Sequence, residues 1–135
     1  MGIIEEAIRV ARKYYDEKTY YHAMRVAAYV TEDNLIPDDK LENCVTLAIL
    51  HDLLEDTDFK TPNMFGYYIA NCLEILTKKE EETYGSYLKN IKKMYVSRPE
   101  AYWVKLADIK DHLCQTETLT DNLKEKYITA MPYFL

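Results

Sequence analysis

Apolar residues recur along the chain at three- and four-residue intervals, and no stretch keeps the two-residue alternation of a half-buried strand. Ile4, Ala7, Ile8, Ala11 and Tyr15 share one face and predict an amphipathic helix over Ile3–Tyr15. Asp16-Glu17-Lys18 breaks that pattern. Thr19 then caps a second predicted helix, Tyr20–Thr31, with Met24, Ala27, Ala28 and Val30 inward and His22 in its first turn. Glu32–Asp39 reads as a loop containing Pro37, and Asp39 with Glu42 forms a capping box for a central helix running to about Asp56. Thr61-Pro62 signals a further helix start, followed by the stripe Met64, Phe65, Tyr68, Ile69, Cys72 and Ile75. Thr77–Glu82 is a polar interruption before Tyr84, Tyr87, Leu88, Ile91 and Tyr95. Arg98-Pro99 opens a helix carrying Trp103, Leu106 and Ala107, then Asp108, Asp111 and His112. Thr120 or Asp121 caps a last short helix ending near Met131-Pro132. The prediction is an all-α bundle of about six or seven helices in one domain spanning residues 1–135.

The central helix changes character along its length. Cys44–Leu50 is apolar almost without interruption, the mark of a helix buried on every side. Then come His51, Asp52, Glu55 and Asp56. On a continuous helix His51 stacks with Glu55 and Asp52 with Asp56. Three acids at a helix C-terminus meet the negative end of the dipole, and buried carboxylates cost several kcal/mol each unless paired. A divalent cation resolves both conflicts. His22 and Asp108, the latter next to the small Ala107, are the candidates to complete the site. His22, His51, Asp52 and Asp108 form a mixed nitrogen and oxygen donor set that suits a transition ion better than calcium. Manganese, iron, zinc, cobalt and nickel all fit such a set, and the donor types do not choose among them.

Composition narrows the function classes. Hydrophobic residues make up 48% of the 135, enough for a packed core. A net charge of −6 argues against a broad nucleic-acid surface and leaves a small anionic partner that the site itself must attract. No run approaches the ~18 apolar residues of a membrane span. Met1–Glu6 has no cleavable apolar segment, and Glu6 stands where myristoylation wants Ser or Thr. Cys44, Cys72 and Cys114 are never closely paired and lie among helical apolar residues, so reduced core cysteines in a cytoplasmic protein are expected. An oligomer is compatible with the sequence. Plainer readings accompany several features: Lys78-Lys79 before Glu80-Glu81-Glu82 as a solvated helix head, most tyrosines as amphipathic core edges, and Glu55 and Asp56 as a charged helix end.

His22, the His51-Asp52 pair and Asp108 together resemble the HD-domain metal-dependent phosphohydrolase superfamily, an all-helical bundle whose metal is held at those four positions. His51-Asp52-Leu53-Leu54-Glu55-Asp56-Thr57 is similar to the His-Asp-x-x-Glu-Asp-Thr motif of the (p)ppGpp 3′-pyrophosphohydrolases, the hydrolase half of RelA/SpoT proteins. Lys105-Leu106-Ala107-Asp108 resembles their Lys-Leu-Ala-Asp motif, and Phe65-Gly66 and Thr77-Lys78 resemble landmarks between the two. The similarity runs from about Arg12 to His112. With no room for a synthetase domain, it implies a stand-alone small alarmone hydrolase. Two departures concern base recognition. After Asp108 the family reads Arg-x-His-Asn, whereas this chain reads Ile109-Lys110-Asp111-His112. Before the first His the family carries Arg-Lys-x-Gly-x-Pro-Tyr, whereas this chain has Arg12-Lys13-Tyr14-Tyr15 without the Gly and Pro.

The resemblance implies a divalent cation on His22, His51, Asp52 and Asp108, manganese first with iron, cobalt, nickel, zinc or magnesium as alternatives, and Glu55 and Asp56 as the catalytic pair that takes a proton from the attacking water or orients it. Lys13, Arg25, Lys105 and His112 are the expected substrate contacts, with Lys78 and Lys110 as further phosphate neighbours. Tyr14, Tyr20 or Tyr21 is the candidate base-stacking ring. The expected partner is a nucleotide, most directly (p)ppGpp or a relative. The competing readings are an HD-type 5′-nucleotidase or other phosphomonoesterase, and a non-catalytic nucleotide or metal sensor.

Overall fold

The computed structural model describes residues 2–135; Met1, where the N-terminal reading begins, lies outside them. Among the described residues there is no strand. The elements are α1 (Ile3–Tyr14), α2 (Glu17–Glu32), α3 (Asp38–Leu50), α4 (Leu53–Asp56), α5 (Tyr67–Leu76), α6 (Tyr84–Lys93), α7 (Pro99–Cys114) and α8 (Asp121–Ala130). Short 3-10 turns lie at Pro62–Phe65, Met94–Val96 and Met131–Phe134. The expected all-α bundle is present, with α4 as a single separate turn. No helix among the described residues is long and apolar enough to cross a membrane.

The bundle is organised around α3, which α2, α1 and α7 surround. Cys44 and the run Leu47–Leu50 are at most 1% exposed, as the unbroken apolar stretch requires. Small residues let the backbones approach: Ala23 on α2, Ala48 on α3 and Ala101 on α7 are all fully buried. Tyr15 ties the end of α1 to α3 by donating its hydroxyl to Ile49 O at 2.9 Å. Tyr68 on α5 donates to the buried carboxylate of Glu100 on α7 at 2.7 Å.

Several boundaries differ from the sequence expectation for local reasons. The Asp16 carboxylate accepts from Thr19 N at 2.8 Å, so the charged triplet is the cap of α2 rather than a break before it. Starting at Glu17 moves His22 into the second turn, leaves Ala28 exposed and turns Val26 inward. Helix α3 begins at Asp38 after Pro37 with no side-chain cap, which places Asp39 inside the first turn instead of at the cap. Pro62 starts only a 3-10 turn, because Gly66 at φ 90° and ψ 156° ends it before α5. That backbone conformation belongs to glycine. A Cβ at Gly66 would meet nothing within 4 Å, so Gly66→Ala should cost backbone strain alone, about 1–3 kcal/mol, read from the urea unfolding midpoint. Cys44 and Cys72 are buried as expected, but Cys114 is exposed because α7 ends at it.

The most consequential difference is in the central helix. It does not run to Asp56. It stops at Leu50, passes through His51 and Asp52, and resumes at Leu53. Asp52 sits at φ −96° and ψ 1°, off the helical region. The His51 ring donates Nδ1–H to Ala48 O at 2.6 Å, satisfying a carbonyl released where α3 ends. The acids therefore no longer stand at the negative end of a long helix. Thr57 closes α4 by donating its hydroxyl to Leu53 O at 2.5 Å.

A candidate metal centre at the α3–α4 break

Three elements supply the site. His22 comes from α2, His51 and Asp52 from the break, and Asp108 from the middle of α7. His22, His51 and Asp108 are at most 8% exposed. His22 Nε2 lies 2.8 Å from Asp108 Oδ1, and His51 Nε2 lies 3.3 Å from the same oxygen. Asp52 Oδ2 is 3.2 Å from His51 Nε2 and 3.6 Å from His22 Nε2. All four residues singled out as ligands in the sequence thus converge. The imidazoles stand edge to face with centroids 5.2 Å apart.

Both imidazoles have their outer nitrogens occupied. His51 Nδ1–H donates to Ala48 O, and His22 Nδ1–H donates to Asp111 Oδ2 at 2.6 Å. In the neutral ring each Nε2 then carries a lone pair, and both lone pairs face Asp108 Oδ1. Lone pairs aimed at a carboxylate repel unless a proton or a cation lies among them. Burial disfavours the charged form of His51, but Asp52 and Asp108 outweigh it and raise its pKa to about 9. Burial also opposes protonation of His22, and the Asp108 and Asp111 carboxylates again prevail. A divalent cation answers the same repulsion. One nitrogen from each imidazole and one carboxylate oxygen, all within 4.8 Å of one another, fit such an ion.

Asp108 has two separate roles for its oxygens. Oδ2 pairs with Lys105 Nζ at 2.9 Å, while Oδ1 faces the histidines. Burial pushes this carboxyl upward, yet the Lys105 ammonium and the imidazole hydrogen bonds hold it well below the usual range. The Lys105 side chain is 11% exposed, with its ammonium 5.2 Å from the Tyr87 ring centroid and 5.6 Å from that of Tyr84. It supports the candidate ligand rather than facing the cleft.

Above the cluster opens a cleft of about 260 Å³, lined by Lys18, Thr19, Arg25, Asp56, His112 and Gln115 among others. Arg25 lines it while Asp111 Oδ1 accepts from its Nε at 2.8 Å. His112 stacks on Tyr127 with centroids 4.7 Å apart and planes at 4°, and its Nε2 reaches to 3.2 Å from Asp108 Oδ1. Asp56 lines the cleft; loss of solvent, then the nearby Asp52 charge, raises its pKa. Glu55 does not line the cleft: it turns toward the segment before α6, accepts from Lys78 N at 2.5 Å, and so pins the single turn α4 that carries Asp56. Desolvation raises its pKa despite that hydrogen bond, and the Asp52 charge adds to the rise.

Other candidates lie elsewhere. Lys13 is exposed on α1 with its ammonium 5.4 Å from the Tyr14 ring centroid, and the cleft's lysine is Lys18. Lys110 faces a separate groove beside Tyr29 and Glu32. Tyr14 packs edge-on against Phe59, and the Tyr20 hydroxyl accepts from Arg12 Nε at 3.2 Å. Neither ring is among those lining the cleft. Ile109, standing where the resemblance has Arg, is fully buried in the core. Asp111, for which the sequence suggested no role, stands behind His22 and beside Arg25. Its signal was its spacing, three residues after Asp108 on the same face of α7. Tyr127 carried no signal, because only the return of α8 brings it to His112.

No protein-family model matches the sequence, and no curated protein matches it significantly. A solved structure does. The chain shares the fold of a metazoan ortholog of SpoT. That protein hydrolyzes ppGpp and plays a role in starvation responses; the TM-score is 0.71 over 99% of this chain and 84% of the other, at 18% identity. The similarity therefore holds at the level of fold, across nearly the whole chain.

Proposed function

We propose that this protein is a metal-dependent phosphohydrolase acting on a nucleotide, removing the 3′-pyrophosphate of (p)ppGpp or a related compound. The observation that carries this reading is the pair of imidazole Nε2 atoms aimed at one buried carboxylate oxygen beneath a cleft. It occurs in a bundle that shares its fold with a protein that hydrolyzes ppGpp. His22, His51, Asp52 and Asp108 would hold the ion. A divalent ion there supplies Lewis acidity to a phosphate oxygen and acidifies water. The remaining work falls to the chain's own residues. Asp56 faces the cleft with a raised pKa, suited to receive the proton of the attacking water, and Glu55, held by the Lys78 N–H, acts through the turn it shares with Asp56. Water adds to the phosphorus joined to the ribose O3′, that P–O bond breaks, and the O3′ takes up a proton. Arg25 and Lys18 offset the phosphate charge against an acidic protein, and His112 offers a ring nitrogen at the cleft wall.

Product analysis with manganese present tests the proposal. Pyrophosphate from a 3′-pyrophosphorylated nucleotide supports it. Orthophosphate from nucleoside monophosphates would instead support the nucleotidase reading, which the buried Ile109 and the absence of a tyrosine from the cleft lining favour over strict guanine recognition. Bound metal without turnover of any nucleotide would leave a sensor.

Glu55→Gln retains the metal and slows hydrolysis at least tenfold, about 1.4 kcal/mol of barrier, measured as kcat. Metal affinity follows His51: its pKa lies near 9 without the ion, so below that pH the ion must displace a proton. Affinity therefore rises with pH from neutrality toward about 9 and levels off above it, by up to about tenfold per unit for each proton displaced, read by calorimetry with proton release.

A further inference from the structure

Asp111 is fully buried and is not one of the four residues proposed to hold the ion. Its two oxygens serve two different donors. Oδ2 accepts from His22 Nδ1–H at 2.6 Å, and Oδ1 accepts from Arg25 Nε at 2.8 Å. The first hydrogen bond decides which His22 nitrogen is free, because a proton held on Nδ1 leaves the lone pair on Nε2, toward Asp108. The second orients Arg25, whose side chain is 40% exposed and lines the cleft. One buried carboxylate thus joins the histidine of the ion cluster to the cation at the cleft wall.

We propose that Asp111 is the positioning residue of this site, holding His22 in the tautomer that presents Nε2 and Arg25 in the orientation that presents its guanidinium to a phosphate. The inference rests on the metal reading given above. It predicts something that burial alone does not: only a group with two acceptors satisfies both donors. An Asn at 111 offers one oxygen and one NH2. If the oxygen meets His22, the NH2 meets the Arg25 N–H, donor against donor; if the amide flips, His22 loses its acceptor.

The test is manganese affinity of the substrate-free protein by calorimetry, with the metal-free melting temperature recorded for each variant. Asp111→Asn should weaken manganese binding about 10- to 100-fold, the usual effect of losing a partner behind a ligand histidine. Arg25→Gln should stay within about threefold of wild type, since His22 keeps its acceptor. The double variant Arg25→Gln/Asp111→Asn should recover most of the affinity lost in Asp111→Asn, because the amide oxygen is free for His22 while Gln or cleft water accepts from the NH2. Recovery identifies the hydrogen bond to His22, not the bulk of the side chain, as what matters. Should Asp111→Asn bind manganese as wild type does, or should the double variant bind no better than Asp111→Asn, the positioning role is overturned. His51→Ala separates the two levels. If it loses manganese while Asp111→Asn keeps it, Asp111 is dismissed and the metal reading stands; if it too binds as wild type, both fall.

Discussion

His51→Ala is expected to abolish stable metal retention and to lower hydrolysis by at least a thousandfold, about 4 kcal/mol of barrier. The reason lies in how completely this ring is committed. It is 5% exposed, its Nδ1–H is spent on Ala48 O, and its Nε2 points at Asp108 Oδ1 and Asp52 Oδ2. No other imidazole can replace it, because His112 approaches Asp108 Oδ1 from within α7 and stacks on Tyr127. Elemental analysis of the purified variant checks the first half of the statement, and turnover in the presence of manganese checks the second. Wild-type metal content in His51→Ala would remove the cluster from consideration as a metal centre.

The second large effect concerns stability. Lys105→Met should destabilise the metal-free protein by about 3–5 kcal/mol, the loss expected when one partner of a buried ion pair is removed and the other stays charged. Lys105 Nζ and Asp108 Oδ2 are 2.9 Å apart, with side chains 11% and 6% exposed. The Lys105 pKa is raised well above its ordinary value although burial opposes this, because Asp108 stabilises the ammonium; Asp108 is lowered for the reciprocal reason. The direction of rescue is specific. Added manganese should return part of the lost stability in Lys105→Met, since a cation among His22, His51 and Asp108 supplies the missing positive charge. Urea unfolding with and without metal measures both. A variant as stable as wild type without metal would mean that the pair contributes nothing net.

Much of the fold was legible because it depends on local and periodic features. Thr120 caps α8 with its side-chain oxygen, Pro99 opens α7, and the apolar run through Leu50 is buried as its composition demands. The helix break was not legible. His51-Asp52-Leu53-Leu54 contains no glycine or proline, and nothing in propensity argues against a continuous helix. The break persists because the His51 ring takes over a carbonyl that the helix would otherwise use, and that ring is in turn committed to Asp108 57 positions away. Substrate contacts were the least legible. Lys13 and Lys110 have the right charge but face other surfaces, while Lys18 and Gln115 reach the cleft without any motif to mark them.

By itself the sequence determined the helical class and the buried central element, since residue type and spacing along one helix suffice for these; His22, His51, Asp52 and Asp108 were marked as a donor set by residue type and by the resemblance. Only the tertiary structure decided that the central helix breaks at His51, that Asp111 stands behind His22, and that Arg25 rather than Lys13 lines the cleft. Those outcomes depend on directions in which side chains leave different helices. Such directions are set by how the bundle packs, and no periodicity within a single segment encodes them.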